Sequence, residues 1–256
     1  MNEIDPYTEL AYFYDLLEDP TYEKYIEMLI KALKVRCPNL KNAVVAEIGA
    51  GTGLVAYRIY DKVKKLLFIE PSEHMLNAAK AKFVPEKHKN IEFKQTGFPH
   101  CGLEKERVDI IISINDPFQY LLTVEMQLKT LEDLYRSLKP GGLILIDNKN
   151  FFSLIKNYKT PQLTQVEKGT RKYTYVNEHE ILPLKEQWIH TYHFFVEDLD
   201  TGKVYKYESK HVLKMVSPTE MRLLFDKVGF ENIEITTHPI ADDHGTSRMW
   251  CFAEKP

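Results

Sequence analysis

Cysteine is scarce. Cys37, Cys101 and Cys251 are the only three in 256 residues. They lie far apart, show no CxxC and no Cys/His ligand spacing, and so give no reason to expect a disulfide framework, a zinc site or any other metal site. A basic excess is also missing. Lys and Arg number 34 against 37 Asp and Glu, for a formal net charge of −3, which argues against a nucleic-acid partner. The lysines of residues 80–94 are interrupted by Glu86 and Glu92 and read as a solvated face. No apolar run approaches the roughly 20 residues needed to span a bilayer, so no membrane partner is expected. Residues 1–6 lack the basic and apolar regions of a secretion signal. Internal repeats and low-complexity tracts are absent too. These absences point to a soluble protein of a reducing compartment, expected to be the cytoplasm. What is present is ordinary for a globular chain, with 44% hydrophobic and 28% charged residues. The length suits one α/β domain with an insertion.

Asp19-Pro20 reads as an N-cap followed by Pro at the first helical position. Tyr22, Tyr25, Ile26, Leu29, Ile30 and Leu33 then fall at helical spacing. Strands and helices alternate from there. An apolar run over residues 43–48 ends in glycines, a helix follows at 54–60, and a second apolar run occupies 65–70. The spacing predicts a helix over 72–83, a short strand over 91–95 and an apolar strand over 108–114. Thr123 caps a helix with the stripe Leu131, Leu134, Tyr135 and Leu138. Lys139-Pro140-Gly141-Gly142 stops it before a buried strand at 143–147. Such Val/Ile/Leu-rich strands between helices describe a parallel sheet covered on both faces. After residue 150 the pattern changes. Residues 171–216 are extended and aromatic, and alternation over 187–196 places Trp188, His190, Tyr192 and Phe194 on one face. Asp200-Thr201-Gly202 is turn chemistry, and 204–216 returns as the other arm of a hairpin. Ser217-Pro218-Thr219-Glu220 is a capping box. The helix it opens carries Met221, Leu224, Phe225 and Val228, and Gly229 ends it. The final strands, 233–236 and 249–253, are joined by too few residues for a crossover helix and should pair antiparallel.

The densest chemical signal is Glu47-Ile48-Gly49-Ala50-Gly51-Thr52-Gly53, which follows the first strand and opens a helix. Glycines there permit a tight turn and close approach of backbone to ligand. Glu70 ends the second strand, where a carboxylate in a doubly wound sheet meets the ribose of a nucleotide. The dinucleotide fingerprint G-x-G-x-x-G would need glycine at Leu54. Glu47, two residues before the first glycine, suits a ligand with a cationic amino group better than a pyrophosphate, which it would repel.

Residues 47–53 resemble the first motif of the class I S-adenosylmethionine-dependent methyltransferases. The resemblance runs from about residue 7 to 256. It takes in Tyr14-Asp15, Glu70-Pro71-Ser72, the segment 109–123, Leu138-Lys139-Pro140-Gly141-Gly142 and the antiparallel last strand. It implies a Rossmann-like, doubly wound α/β fold, mostly parallel and seven-stranded, with an antiparallel terminal strand. The expected organisation is an N-terminal helical cap at 1–36, a cofactor-binding core at 37–150, a β-rich insertion or substrate lid at 151–216, and completion of the core sheet at 217–256. S-adenosyl-L-methionine is the cofactor implied. Glu47 and the backbone of Gly49, Ala50, Gly51 and Gly53 would hold its methionine part, and Glu70, beside Pro71, its ribose. Met75 would either line the adenine pocket or pack in the helix core. Tyr14 and Tyr22 would close over the cofactor or serve as helix packing. The chain departs from the family at Thr96-Gly97-Phe98, where members often carry Gly-Asp-Ala and the Asp binds the adenine amino group. That leaves adenine to backbone around Gly97, to stacking on Phe98, or to a side chain the sequence does not identify.

Ligands of open α/β sheets bind beyond the carboxyl ends of the strands, so residues 113–120, Asn115 among them, should flank the methyl group. Asn115-Asp116-Pro117-Phe118 superficially resembles the Asn-Pro-Pro-Phe motif of enzymes that methylate amide or adenine nitrogens. Its second residue is Asp, and it starts one residue late after Asp109. In register, residues 109–123 better resemble the subgroup that methylates small molecules such as glycine or amino sugars, which also carries an extra antiparallel sheet. Asp116, Tyr120, His190 and His211 are the candidates for orienting or deprotonating an acceptor. Alternatively, Asp116 shapes a turn, Tyr120 is core, and the histidines face solvent. The expected function is methyl transfer to a small-molecule acceptor, an amine nitrogen. The alternatives are a methyltransferase acting on protein or nucleic acid, a nicotinamide-dependent oxidoreductase, which Leu54 and the antiparallel end strand disfavour, and a non-catalytic cofactor-binding module. A homodimer is left open.

Overall fold

The computed structural model describes residues 7, 11, 14–16, 22–156, 161–237 and 247–256. The Asp19-Pro20 cap and most of the connection before the last strand lie outside the described residues.

Seven strands form the main sheet: β1 (Val44–Ile48), β2 (Lys65–Ile69), β3 (Ile91–Lys94), β4 (Val108–Ser113), β5 (Leu138–Lys149), and the last two of the chain, Glu231–Thr237 and Arg248–Glu254. β1 sits centrally, parallel to β2 on one side and β4 on the other. β3 continues beyond β2, and β5 beyond β4. The strand Arg248–Glu254 runs antiparallel to β5 and carries Glu231–Thr237, also antiparallel, at the sheet edge. This is the doubly wound, mostly parallel seven-stranded sheet expected from the sequence. The inner strands are buried on both faces, as their continuous apolar runs require.

One boundary differs from the sequence reading. β5 begins at Leu138, which pairs with Val108, while Leu143 pairs with Ile110. Residues 139–142 therefore bulge within the strand instead of separating helix from strand. The Gly141 N–H donates to the Lys255 carbonyl (2.8 Å) and the Lys255 N–H to the Gly142 carbonyl (2.9 Å), partners distant in sequence.

Helices cover both faces. On one, α1 (Tyr22–Arg36) buries Tyr25, Ile26, Leu29 and Leu33 in a cluster shared with α2 (Leu54–Ile59) and α3 (Glu73–Lys82). On the other, α4 (Val124–Ser137) places Leu131 and Leu134 against the sheet. Thr123 caps α4, accepting from the Met126 N–H at 3.2 Å. A short helix, α5 (Phe151–Lys156), leads into the insertion. The insertion is a four-stranded antiparallel sheet in sequential order: β6 (Gln162–Lys168), β7 (Arg171–Leu182), β8 (Gln187–Asp198) and β9 (Val204–Lys214). Trp188, His190 and Phe194 are buried on the face foreseen from alternation, joined from β9 by Ser209, His211 and Leu213. β6 was not foreseen. Its residues are mostly polar and exposed, so no apolar period marks it. The chain returns to the core through α6 (Pro218–Val228) and the last two strands, here β10 (Glu231–Thr237) at the sheet edge and β11 (Arg248–Glu254) beside β5. No helix among the described residues is long and apolar enough to cross a membrane.

The capping box of α6 is complete. Ser217 accepts from the Glu220 N–H at 3.0 Å, and the Glu220 carboxylate accepts from the Ser217 N–H at 3.5 Å. Met221, Leu224 and Phe225 are buried directly behind it. Ser217→Ala should therefore lower stability by about 1 kcal/mol, measured by denaturant unfolding. No change in the midpoint would show that packing alone fixes this helix start.

Candidate active site

The site is built where β1 and β4 end side by side. Ile48 leads into the glycine loop, whose Gly49 and Ala50 N–H groups donate to the Ile69 carbonyl of β2. Gly49 has a positive φ of 71° and lies so close to Pro117 that an added Cβ would stand 2.4 Å from its Cγ. Only glycine permits this approach between the loop and the turn after β4. Gly51, also at positive φ, would instead project a Cβ into open space, with nothing within 4 Å. That space is a cavity of about 380 Å³ lined by Tyr7, Tyr14, Gly49, Gly51, Glu70 and Pro71, with further walls from Met75, Gly97, Phe98, Asn115 and Tyr120. A smaller hollow of about 30 Å³ shares Tyr14, Gly49, Gly51 and Asn115 with it and adds Tyr22, Glu47 and Ala50.

Two carboxylates serve these spaces differently. Glu70 accepts from the Gly51 N–H and the Ser72 N–H, each at 2.8 Å, so it ties the glycine loop to the start of α3. A carboxylate oxygen can accept more than one hydrogen bond, which leaves Glu70 able to take ribose hydroxyls. Glu47 is buried, and its Oε2 has no hydrogen-bond partner. Burial, and then the nearby Glu70 charge, pushes its carboxyl up to about 8. A buried acceptor without a donor is costly, and a cationic ammonium in the hollow would satisfy it. The glycine cradle and the orphaned Glu47 oxygen thus fit S-adenosylmethionine.

Most residues assigned to the cofactor from sequence line one space or the other. Gly53 does not. It caps α2, and a Cβ there would meet the Phe83 and Phe68 rings. It packs the loop against the core and lies outside both linings.

The acceptor candidates separate. Tyr120 lines the cavity, and its hydroxyl hydrogen-bonds both to Tyr7 Oη (2.7 Å) and to His211 Nδ1. His211 Nε2 pairs with Ser209 Oγ at 2.8 Å. A hydrogen-bonded chain thus runs from the cavity into the insertion sheet. His190 stands one strand further in, paired through Nε2 with Asn177 Oδ1 and held neutral by burial, its pKa well below the usual value. Both histidines are buried, contrary to the solvent-facing alternative. Asp116 is absent from both linings. Arg248 and Lys149 grip its buried carboxylate. Their charges oppose its desolvation and keep its pKa below the usual carboxylate value. Asp116, a candidate for orienting the acceptor, thus lies outside both linings with its carboxylate paired to two cations. Sequence reasoning missed Tyr7, Pro117 and Arg248. No motif marks the first, and the other two acquire meaning only from long-range contacts.

Residues 45–142 match the methyltransferase-domain family. A protein-L-isoaspartate O-methyltransferase of Petrotoga mobilis is 30% identical over 164 residues, covering 62% of this chain and 67% of that one. The chain belongs to the class I S-adenosylmethionine-dependent methyltransferases. It is an enzyme whose cofactor is S-adenosylmethionine. Two solved methyltransferases share the fold over nearly the whole length. An S-adenosylmethionine-dependent methyltransferase from Clostridium acetobutylicum superposes with a TM-score of 0.78 at 18% identity, covering 98% of this chain and 99% of that one. CalS10, an amino pentose methyltransferase from Micromonospora echinaspora involved in calicheamicin biosynthesis and solved with S-adenosylmethionine bound, gives 0.74 at 14% identity, covering 100% and 99%.

The methyltransferase's Glu47 links binding to stability. Its folded pKa exceeds the ordinary 4.5, so its contribution to folding is fully present below the unfolded pKa and is lost as pH rises through about 8. Glu47→Gln stays neutral. It should flatten this slope and raise the melting temperature of the ligand-free protein at pH 8–9, while weakening S-adenosylhomocysteine about tenfold or more through loss of a charged hydrogen bond. Thermal unfolding from pH 5 to 9 and calorimetry check the two effects. Unchanged affinity in the variant would remove Glu47 from the ammonium site.

Proposed function

We propose that the enzyme methylates an amine nitrogen of a small molecule. The hydrogen-bonded chain Tyr7–Tyr120–His211–Ser209, which reaches the cavity wall at Tyr120 and Tyr7, carries this reading. Glu70 is the only carboxylate among the described lining residues, and it is engaged with the glycine loop at the ribose end. The wall assigned to the acceptor therefore offers neutral phenols. Burial pushes both hydroxyls, Tyr7 and Tyr120, well above the usual tyrosine value, so at neutral pH they orient by hydrogen bonding and do not act as phenolates. A neutral amine needs alignment more than deprotonation before it attacks, whereas an alcohol would need a stronger base. When bound, the cofactor supplies an electrophilic methyl group on a sulfonium. Tyr120 and Tyr7 then hold the acceptor nitrogen; the proton released after attack passes to the Tyr120 oxygen as Tyr120 gives its own proton to His211 Nδ1, and Ser209 fixes the ring through Nε2. The name of CalS10, an amino pentose methyltransferase, supports the same acceptor chemistry. The three free cysteines suit a reducing compartment, and we place the enzyme in the cytoplasm.

Incubation with isotopically labelled S-adenosylmethionine and a panel of small amines, amino sugars and matched alcohols, read by mass spectrometry, tests the class. Label on alcohols alone, or only on added protein or RNA, would overturn it. With a reactive amine in hand, Tyr120→Phe should lower kcat/KM by about 10–100-fold, the scale of losing one positioning group. Affinity for S-adenosylhomocysteine should stay nearly constant. Full activity in the phenylalanine variant would exclude the hydroxyl from the reaction.

A further inference from the structure

Asn115 and Asp116 are consecutive non-glycine residues in the left-handed region, with φ of 67° and 77°. Such conformations are tolerated best by Asn and Asp, yet they persist only where the surroundings over-determine them. Asp147 of β5 supplies much of that constraint. Its Oδ2 accepts from the Asn115 N–H at 3.0 Å, and its carbonyl accepts from the Asp116 N–H at 3.2 Å. Asp147 is in turn gripped by Arg248 of β11, through Nε to Oδ1 at 3.1 Å and Nη2 to Oδ2 at 2.6 Å. The same Nη2 reaches Asp116 Oδ1 at 2.8 Å. One guanidinium therefore spans the carboxylate beneath the turn and the carboxylate within it. Lys149 closes the group on Asp116, and the Tyr25 hydroxyl of α1 donates to Asp147 Oδ2 at 3.4 Å.

The turn held in this way carries three groups that meet the ligand spaces. Asn115 lines both cavities, and its Nδ2 donates to the Tyr14 hydroxyl at 2.7 Å. Pro117 abuts Gly49, and Tyr120 ends the turn at the acceptor wall. None of the four charged groups, Asp116, Asp147, Lys149 and Arg248, lines either cavity.

We infer that Arg248 is a positioning residue for methyl transfer, acting through the Asp147–Asp116 pair to hold Asn115 in register with the glycine loop. A planar guanidinium can serve two carboxylates at once, which a lysine ammonium on a flexible stem does less well. Arg248 lines neither cavity, so its effect travels through Asn115.

The inference rests on the cofactor assignment and not on the acceptor, so binding of S-adenosylhomocysteine tests it without a known acceptor. Calorimetry would compare wild type, Arg248→Met, Asn115→Ala and the double variant. Arg248→Met is expected to weaken binding about tenfold, Asn115→Ala by a similar factor, and the pair by little more than either alone, because contacts in one network couple. Arg248→Lys should recover part of the loss. Effects that multiply in the double variant, or wild-type affinity in Arg248→Met with its fold intact by circular dichroism, would overturn the inference. If Arg248→Met does not fold, Asp116→Asn replaces it in the same cycle, since it weakens one arm of the clamp without removing volume, and the same two outcomes decide. Failure of wild type itself to bind S-adenosylhomocysteine would count against the cofactor assignment.

Discussion

β2 and β3 extend the sheet on one side of β1 while β4 and β5 extend it on the other, so the connections leaving β1 and β4 diverge. A crevice opens between their carboxyl ends, where no crossover covers the strands. The cavity walls contributed by β1, β2 and β4 meet at that reversal. The glycine loop leaves β1 there, Glu70 arrives from the end of β2 beside it, and the turn carrying Asn115 leaves β4 opposite. Gly49 and Pro117 touch across the gap, so the width of the crevice is set by the one residue type that has no side chain.

Charge is distributed within this crevice in two contrasting ways. Asp116 and Asp147 are buried with Arg248 and Lys149 supplying opposite charge. Such a group is expensive to disrupt from one side, because removing one partner strands the other. Glu47 is buried, no ion pair is formed by it among the described residues, and the like charge of Glu70 adds to the effect of burial. The protein therefore neutralises its own structural carboxylates and leaves one without a counter-charge. That one faces the hollow into which a ligand ammonium fits.

Local signals in the chain were legible in the sequence, because they depend on neighbours within a few residues. The apolar runs of β1 and β2, the caps at Thr123 and Ser217, and the glycine turn with Glu47 are of this kind. The placement of Glu70 could also be read, since a βα unit of ordinary length brings the end of β2 beside the loop. What could not be read depends on pairs remote in sequence. Asp116 reads in the sequence as a candidate for orienting the acceptor, and its pairing with Arg248, 132 residues away, has no local signal. The bulge at residues 139–142 is completed by Lys255. Gly53 shares its motif with two cavity glycines, yet it is kept small by the aromatic rings of α3 and β2 neighbours. β6 is polar on both faces, so nothing in its residues distinguishes an edge strand from a loop.

The two halves of the site also differ in what builds them. The half that we assign to the cofactor consists largely of backbone, namely the glycine loop, the start of α3 and the residues around Gly97, with the carboxylates of Glu47 and Glu70. Backbone geometry of this kind follows from the fold and tolerates change elsewhere. The half that we assign to the acceptor is made of side chains from separate elements: Tyr7 from the N-terminal segment, Tyr120 from the turn after β4, and His211 from β9. The aromatic face of the insertion continues behind it, with the Tyr192 ring 5.5 Å from His211 and 4.0 Å from His190. β9 pairs with β8 in continuous register, so His211 is placed by the insertion sheet and not by the glycine loop. With the insertion attached after β5, the wall that we assign to the acceptor and the loop that we assign to the cofactor belong to different sheets. A fold with fixed cofactor chemistry can serve different acceptors in this way, through side chains that project from strands outside its core.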